Sequence, residues 1–447
     1  MKKLFGTDGM RGLAGEFPLD ETTVRKVGSS LAGQFLGRTG KQPRFVIGRD
    51  TRESSEWIEK AFCTGAQAIG AECASAGVIT TPGVAFLTKK FDFDAGIVIS
   101  ASHNPFQDNG IKIFSPSGKK IDEATEKIIE KDIYNTQSAV SGKESGCDNS
   151  NITEFQNSYL QYLSDGFKDL SLENFKIVVD CANGAASKLA PRLFESFGAE
   201  VVPINFQPDG RNINKDCGSL HLENLQAKVS EVKADFGVAF DGDADRALFV
   251  DEKGNLVDGD ATLWIMANYL ESHGRLKNHT VVATVMSNIG LEIALKSKNI
   301  ELLRTAVGDK YVLEELLKTG ARVGGEQSGH IIFPEKSLVG DGMMTTLFLL
   351  QAIREKSAAF SEMTEGFTQY PQILVNVKVR EKLPFEEVST INEAAKKIEN
   401  ELHGKGRLLL RYSGTENLAR VMIEGENQAA IEEQANHLAE IIRQNLG

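Results

Sequence analysis

No stretch of this 447-residue chain approaches the run of about eighteen apolar residues that a membrane span requires, so a soluble protein is expected. Cysteine is sparse: Cys63, Cys73, Cys147, Cys181 and Cys217 are widely scattered and odd in number. They lack the paired spacings of a zinc site or a disulfide framework, and a reducing cytosol is the expected compartment. Positive charge is also short. A formal net charge of −12 leaves no general basic face for nucleic acid or anionic membrane, so any anionic substrate must meet a local basic cluster. Neither a Walker loop nor a Rossmann fingerprint occurs, and G-x-S-x-G is missing, which leaves nucleotide binding and a hydrolase triad without support. The opening MKKLFGTDGMRG starts with positive charge like a signal peptide, yet glycines and Asp8 stand where the apolar stretch would be. It is read as part of the mature fold.

What is present is an ordinary globular balance of 41% apolar and 25% charged residues, and a folded body is expected throughout. The length suggests roughly three or four domains. One unit recurs: a β-branched run, a polar turn, a helical stretch and a second strand. It runs from RFVIGRDTRESS to CASAGVITT, from KIVVDCANGAA to VVPIN, and from HTVVATVMSN to IELLRT. The expected fold class is α/β, with three related α/β domains built on βαβ repeats and a smaller C-terminal α+β domain. The opening strands are apolar almost throughout, as parallel strands covered on both faces are, and ligands then favour their carboxyl ends. The C-terminal part reads as a strand at ILVNVKV, a helix from Phe385 to about Leu402, two strands in GRLLLRYSGTENLARVMIEG and a closing helix from Ala429. A polar connection between Tyr134 and Phe155 marks the first boundary. The expected domains are residues 1–155, 156–257, 258–370 and 371–447.

Four polar loops are candidates for chemistry. In AFDGDADRALFV, Asp241, Asp243 and Asp245 follow an apolar strand, and their oxygen ligands suit a hard divalent cation. An EF-hand is the competitor, with Glu252 at its twelfth position, but Arg246 replaces the turn glycine and the flanks are strand-like. An acidic surface turn is the plainer alternative; crowding three carboxylates without a cation is costly. In GIVISASHNPFQDNGIKIF, Ser102, His103 and Lys112 bring a hydroxyl, a proton carrier and a cation together at a strand end, a grouping that an ordinary turn explains equally well. RYSGTENLAR offers Arg411, Ser413, Gly414, Thr415 and Arg420, a set suited to phosphate or to a plain hairpin. VGGEQSGHIIF places Glu326, Ser328 and His330 at alternate positions, so on an extended segment all three would face one way and read sugar hydroxyls; a glycine-rich turn entering a strand explains the stretch equally well. One polar loop falls in each expected domain, and a cleft among the four would unite them.

In this order and at these separations, ISASHNP, DGDADR, GEQSGH and RYSGTENLAR resemble the α-D-phosphohexomutase superfamily over essentially the whole chain. FGTDGMRG and GEQSGH are most similar to its bacterial members that act on glucosamine phosphates. The resemblance implies four domains around a central cleft and interconversion of glucosamine 6-phosphate and glucosamine 1-phosphate, a step toward UDP-N-acetylglucosamine. It implies that Ser102 is the phosphoserine and that Asp241, Asp243 and Asp245 bind Mg²⁺, which also contacts the phosphate on Ser102. By the same resemblance Glu326 and Ser328 contact the sugar, Lys310 in VGDKYV adds to the phosphate or sugar contacts, and Arg411, Ser413, Gly414, Thr415 and Arg420 hold the phosphate that is not reacting. Arg11, His103, Lys112, Arg246 and His330 form the surrounding catalytic shell. The implied partners are a small sugar phosphate and a sugar 1,6-bisphosphate, with no nucleic acid or membrane, in a cytoplasmic monomer or homodimer. The family's phosphate loop reads RPSGTEP, whereas Tyr412 and Asn417 stand here at both prolines, and a looser loop is expected. Two alternatives share most of these motifs: a mutase acting on mannose or glucose phosphates, and a catalytically silent sugar-phosphate-binding protein.

Overall fold

The computed structural model describes residues 3–135, 146–402, 404–413 and 416–447. The chain forms two compact units, Met1–Val285 with Leu303–Glu365, and Met286–Leu302 with Gly366–Gly447. None of the described helices is long and apolar enough to cross a membrane.

The first unit carries the first two repeats and part of the third. In the six-stranded sheet, Arg44–Arg49 lies between Glu72–Val78 and Ala95–Ile99, parallel to both, and Asp108–Phe114 then pairs antiparallel with Ala95–Ile99. The helices Glu21–Thr39, Ser55–Gln67 and Glu123–Tyr134 belong to the same layer system. Their apolar residues, among them Val27, Leu31, Ile58, Phe62 and Ile129, join Phe45, Ile47 and Ile97 of the strands in one core. The second sheet places Lys176–Asp180 parallel to Glu200–Ile204 and Phe236–Phe240, with Ala247–Asp251 antiparallel at its other side. The third has the order Glu301–Thr305, Thr280–Thr284, Gly324–Gly325, Ile331–Ile332. The expected apolar strands are therefore the parallel ones, and each sheet gains an antiparallel strand that the βαβ pattern does not reveal. Ala95–Ile99 and Phe236–Phe240 are buried at every position, so the turns that follow are held from beneath.

The second unit has a three-stranded antiparallel sheet, Gln372–Lys378, Leu418–Gly425 and Gly406–Tyr412, under the helices Ser389–Leu402 and Gln428–Leu446. On the closing helix Ile431, Ala435, Leu438, Ala439, Ile442 and Leu446 are buried, a spacing that lines one face of an α-helix. The helix Ile289–Ser297 of the third repeat groups with this unit. Ile289 N–H donates to Glu424 at 3.2 Å, and Arg407 Nη2 donates to the Ser287 carbonyl at 3.0 Å.

One expectation needs correcting: the chain is not free of disulfides. Cys63 and Cys147 are bonded across a separation of 84 residues, with Cα atoms 5.9 Å apart. Cys73, Cys181 and Cys217 are free and buried. A single long-range pair has no spacing signature, because folding rather than sequence brings the two thiols together. Cys147 lies at the end of the polar connection, whose residues 136–145 are outside the described residues.

Candidate active site

The strand Ala95–Ile99 delivers Ser102 to the carboxyl end of the first sheet. Ser102 is 1% exposed and adopts φ 54°, the left-handed region that costs a non-glycine residue energy and persists only when its surroundings impose it. The surroundings are visible. Ser102 N–H donates to Ser100 Oγ at 2.9 Å. Arg52, fully buried and ion-paired with buried Asp50, donates to the carbonyls of Ser102 at 3.2 Å and Asn104 at 2.6 Å. Asn214 Nδ2 donates to the same two carbonyls at 2.8 and 3.0 Å.

The strand Phe236–Phe240 presents the acidic loop opposite. Asp241, Asp243 and Asp245 each offer an oxygen within 4.8 Å of the others. The loop comes this close because residue 242 is glycine: a Cβ there would lie 2.5 Å from the Ser102 carbonyl oxygen. Ser102 Oγ donates to Asp241 Oδ2 at 2.5 Å. Burial, then the charges of Asp245 and Asp243, push the Asp241 carboxyl well above the usual range. Asp243 Oδ1 and Asp245 Oδ1 are buried with no hydrogen-bond partner among the described residues. Buried carboxylate oxygens without a hydrogen-bond donor are costly, and a hard divalent cation is the ligand that relieves them. The donor set fits such a cation, with only oxygen ligands and no soft ones.

A basic shell surrounds the cluster. Lys112, buried, sends Nζ to Asp243 at 2.8 Å, Asp8 at 3.0 Å and Asp245 at 3.2 Å. Burial favours its neutral form, but the three carboxylates outweigh it and hold its pKa well above the usual lysine value. Burial likewise favours neutral Asp245, and Lys112 foremost reverses this and keeps it below the usual range. Arg11 pairs with Asp8. Lys120 bridges Asp8 and Asp309, each at 2.6 Å. His103 Nδ1 lies 3.3 Å from Ser102 Oγ and 3.0 Å from Arg246 Nη1. Burial and then the Arg246 and Arg11 charges push His103 down to about 4, so the imidazole is neutral at pH 7 and Arg246 donates to it.

The remaining expected residues are distributed unevenly. His330 is buried, with Nε2 3.8 Å from Asp309 and 4.0 Å from Asp245, and Nδ1 has no partner among the described residues. Glu326, Ser328 and His330 do not lie on an extended segment. They form a tight turn between Gly324–Gly325 and Ile331–Ile332, closed by Glu326 N–H to His330 O at 3.0 Å and Gly329 N–H to Glu326 O at 3.0 Å. Gly329 at φ 90° supplies the left-handed step that makes the turn possible. Glu326 Oε1 accepts from Gly308 N–H at 3.1 Å, and Ser328 is half-buried. Lys310 is engaged elsewhere, 3.1 Å from Glu123.

In the second unit Arg411 and Arg420 are cross-strand partners. Burial and then the Arg420 charge lower the pKa of Arg411, and Arg420 Nε is buried without a partner among the described residues, a pair of like charges whose chemistry suits an anion. Ser413 N–H donates to Leu418 O at 2.8 Å. Gly414 and Thr415 lie outside the described residues. Tyr412 stacks on Phe385 at 4.2 Å and donates to Leu383 O at 2.5 Å, so an aromatic anchor holds the strand end where the family pattern has proline.

Several participants escaped sequence reasoning. Thr81 donates N–H to Asp243 O at 3.0 Å and Oγ1 to Asp243 Oδ2 at 2.5 Å. Asp8, Arg52, Lys120, Asn214 and Asp309 complete the framework. Asp8, inside FGTDGMRG beside Arg11, and the Asp50-x-Arg52 spacing at a strand end offered local signals.

The same architecture is found in known proteins. Models of phosphoglucomutase/phosphomannomutase match in order: alpha/beta/alpha domain I over residues 2–140, domain II over 157–254, domain III over 258–370 and the C-terminal domain over 374–441. A phosphoglucosamine mutase of Caldicellulosiruptor saccharolyticus is 49% identical over 100% of both chains. One of Solibacter usitatus is 47% identical over 100% of this chain and 99% of its own. Among solved structures, a Burkholderia thailandensis phosphoglucomutase/phosphomannomutase family protein superposes with a TM-score of 0.81 at 24% identity, covering 100% of this chain and 98% of that one. Aspergillus fumigatus N-acetylphosphoglucosamine mutase, solved with GlcNAc-6P and magnesium, gives 0.68 at 19% identity over 99% and 95%. With all four domain models matched in sequence and a buried serine set against three carboxylates, the chain belongs to the phosphoglucomutase/phosphomannomutase family.

Proposed function

We propose that this enzyme interconverts glucosamine 6-phosphate and glucosamine 1-phosphate through a phosphorylated Ser102. The observation that carries the reading is Ser102 Oγ, buried and 2.5 Å from Asp241, beside two unpaired carboxylate oxygens and the buried cation of Lys112. The near-identical length and 49% identity of a phosphoglucosamine mutase support the choice of sugar.

The phosphoryl group on Ser102 passes to O1 of glucosamine 6-phosphate: the Ser102 Oγ–P bond breaks, the O1–P bond forms, and the hydroxyl proton leaves O1. The 1,6-bisphosphate turns over, and its 6-phosphoryl returns to Ser102, releasing glucosamine 1-phosphate. Transfer of this kind needs charge on the phosphoryl oxygens neutralised and the acceptor held in line. Asp241, Asp243 and Asp245 would hold Mg²⁺, which supplies that neutralisation when bound. Lys112, Arg11 and Arg246 add fixed positive charge, and His330 is assigned the proton traffic between the sugar hydroxyl and the serine oxygen. Neutral His103 accepts from Arg246 and keeps its guanidinium beside the serine. Glu326, Ser328 and Lys310 are assigned to the sugar, and Arg411, Ser413, Gly414, Thr415 and Arg420 to the phosphate not in transfer. The labour divides over residues 1–155, 156–257, 258–370 and 371–447, in a cytosolic monomer or homodimer.

Ser102→Ala should abolish sustained turnover, and intact-mass analysis should find a phosphate on Ser102 of the active wild type; a fully active alanine variant would sink the reading. Turnover of glucosamine, glucose and mannose 6-phosphates on phosphorylated protein with Mg²⁺ identifies the sugar.

A further inference from the structure

Away from the serine and the aspartates, a cavity of about 350 Å³ opens between the helix Thr81–Lys90, the helix Ile152–Asp165 and the segment 336–341. Its size falls in the range of small-molecule sites, about 300–1,000 Å³. One wall is aromatic: Phe86 and Tyr162 stack with ring centroids 4.5 Å apart and planes within 20°. Tyr162 is fixed by donating to Lys336 O at 2.6 Å. Lys89, Lys90 and Lys336 also line the cavity. All three are exposed, and among the described residues none has an ion-pair partner. The one carboxylate lining the cavity is Asp341, which is buried, caps the helix that follows and accepts from Tyr159 OH at 2.8 Å.

From this we infer that the cavity binds a nucleotide, with its phosphates at Lys89, Lys90 and Lys336 and its planar base beside the Phe86–Tyr162 wall. Three exposed lysines against a single buried carboxylate call for a multiply charged anion, and the aromatic wall calls for a flat apolar ring on the same molecule. The site needs no glycine-rich motif, which is why no fingerprint announces it. Two walls of the cavity run directly to the acidic loop. The helix bearing Phe86, Lys89 and Lys90 begins at Thr81, whose N–H and Oγ1 both donate to Asp243. Asp341 precedes Gly342, whose N–H donates to Ala244 O at 3.0 Å. A ligand pressing on this helix therefore bears on an aspartate of the proposed metal site, and occupancy is expected to change mutase turnover. That coupling rests on the proposed function; the binding itself does not.

The test is calorimetric titration of the full chain with ADP and with UDP while glucose 1,6-bisphosphate is present in excess. Saturable single-site binding is expected, at least about tenfold weaker in a Lys89→Glu/Lys336→Glu variant and unchanged in a Lys396→Glu/Lys397→Glu control. Pyrophosphate should bind at least about tenfold more weakly than either nucleotide, because it lacks the ring. Absence of saturation by both nucleotides, or equal affinity in the Lys89/Lys336 variant, overturns the site. Pyrophosphate binding as tightly as ADP overturns the nucleotide class. Because the readout is heat of binding, loss of the mutase assignment would leave these outcomes readable.

Discussion

At the scale of single residues, Ser102, the proposed phosphate carrier, takes its geometry from its neighbours. A serine hydroxyl is unremarkable in a turn; here Ser102 is held at positive φ by two donors to its own carbonyl, and an acidic loop closes on it through a glycine. Gly242→Ala would place a Cβ 2.5 Å from Ser102 O and 2.9 Å from Ile213 Cδ1, which backbone cannot yield cheaply. The loops should part, lowering kcat by about a hundredfold, since small misplacements of reacting groups cost that much, with a stability loss of about 1–3 kcal/mol; paired kinetics and thermal melts check both. Asn214→Ala removes two hydrogen bonds to the serine loop and leaves folding elements intact. At about 1 kcal/mol for each bond, kcat should fall at least about tenfold while KM holds, and steady-state kinetics would show the split. Ser102, Lys112 and the three aspartates were legible because each group sits within a short stretch of sequence. Asp8, Thr81, Arg52 and Asn214 were not, since each meets the site from a distant stretch and looks alone like a turn or cap residue.

At the scale of elements, the helix Gly342–Lys356 shows how a cap can be set at a cost. Asp341 accepts from Met344 N–H at 3.0 Å and from Tyr159 OH, yet burial still raises its carboxyl to about 6. A carboxyl whose folded pKa exceeds its unfolded one is more protonated in the native state, so its contribution to stability is present below about pH 4 and lost as pH rises through about 6. Asp341→Asn keeps an acceptor for the helix terminus and removes the titration. The variant should gain about 2 kcal/mol on the wild type between pH 4 and pH 7, measured as the difference between two denaturation series; parallel series would refute the assignment. The βαβ elements themselves were readable from composition, because β-branched runs and helical periodicity are local properties. The segment Glu326–His330 reads equally well as an extended stretch or as a glycine-rich turn, because alternate polar residues suit both, and only the Gly329 conformation decides between them.

At the scale of the whole molecule, a cluster of buried carboxylates makes stability depend on a cation. If the three aspartates bind Mg²⁺ in the folded state alone, saturating metal at about a hundredfold over its Kd adds about 2.7 kcal/mol. Melting temperature should rise with Mg²⁺ in the wild type and stay flat in Asp243→Asn/Asp245→Asn, and chelation should stop turnover; a double variant that still responds to Mg²⁺ would move the cation elsewhere. The Cys63–Cys147 bond belongs to this scale too, joining a core helix to a connection that sequence alone presents as an untethered surface segment.

Sequence by itself determined the α/β class, the three repeats, the family and the short motifs around Ser102, Asp241 and Arg411, since hydrophobic period and motif spacing are written locally along the chain. Only the tertiary structure decided that Ser102 is strained and clamped by Arg52 and Asn214, that Lys112 is locked among three carboxylates, and that Cys63 meets Cys147. The physical reason is the same in each case: burial and close approach set charge, hydrogen bonding and backbone conformation, and those distances exist only once segments far apart in the chain have packed.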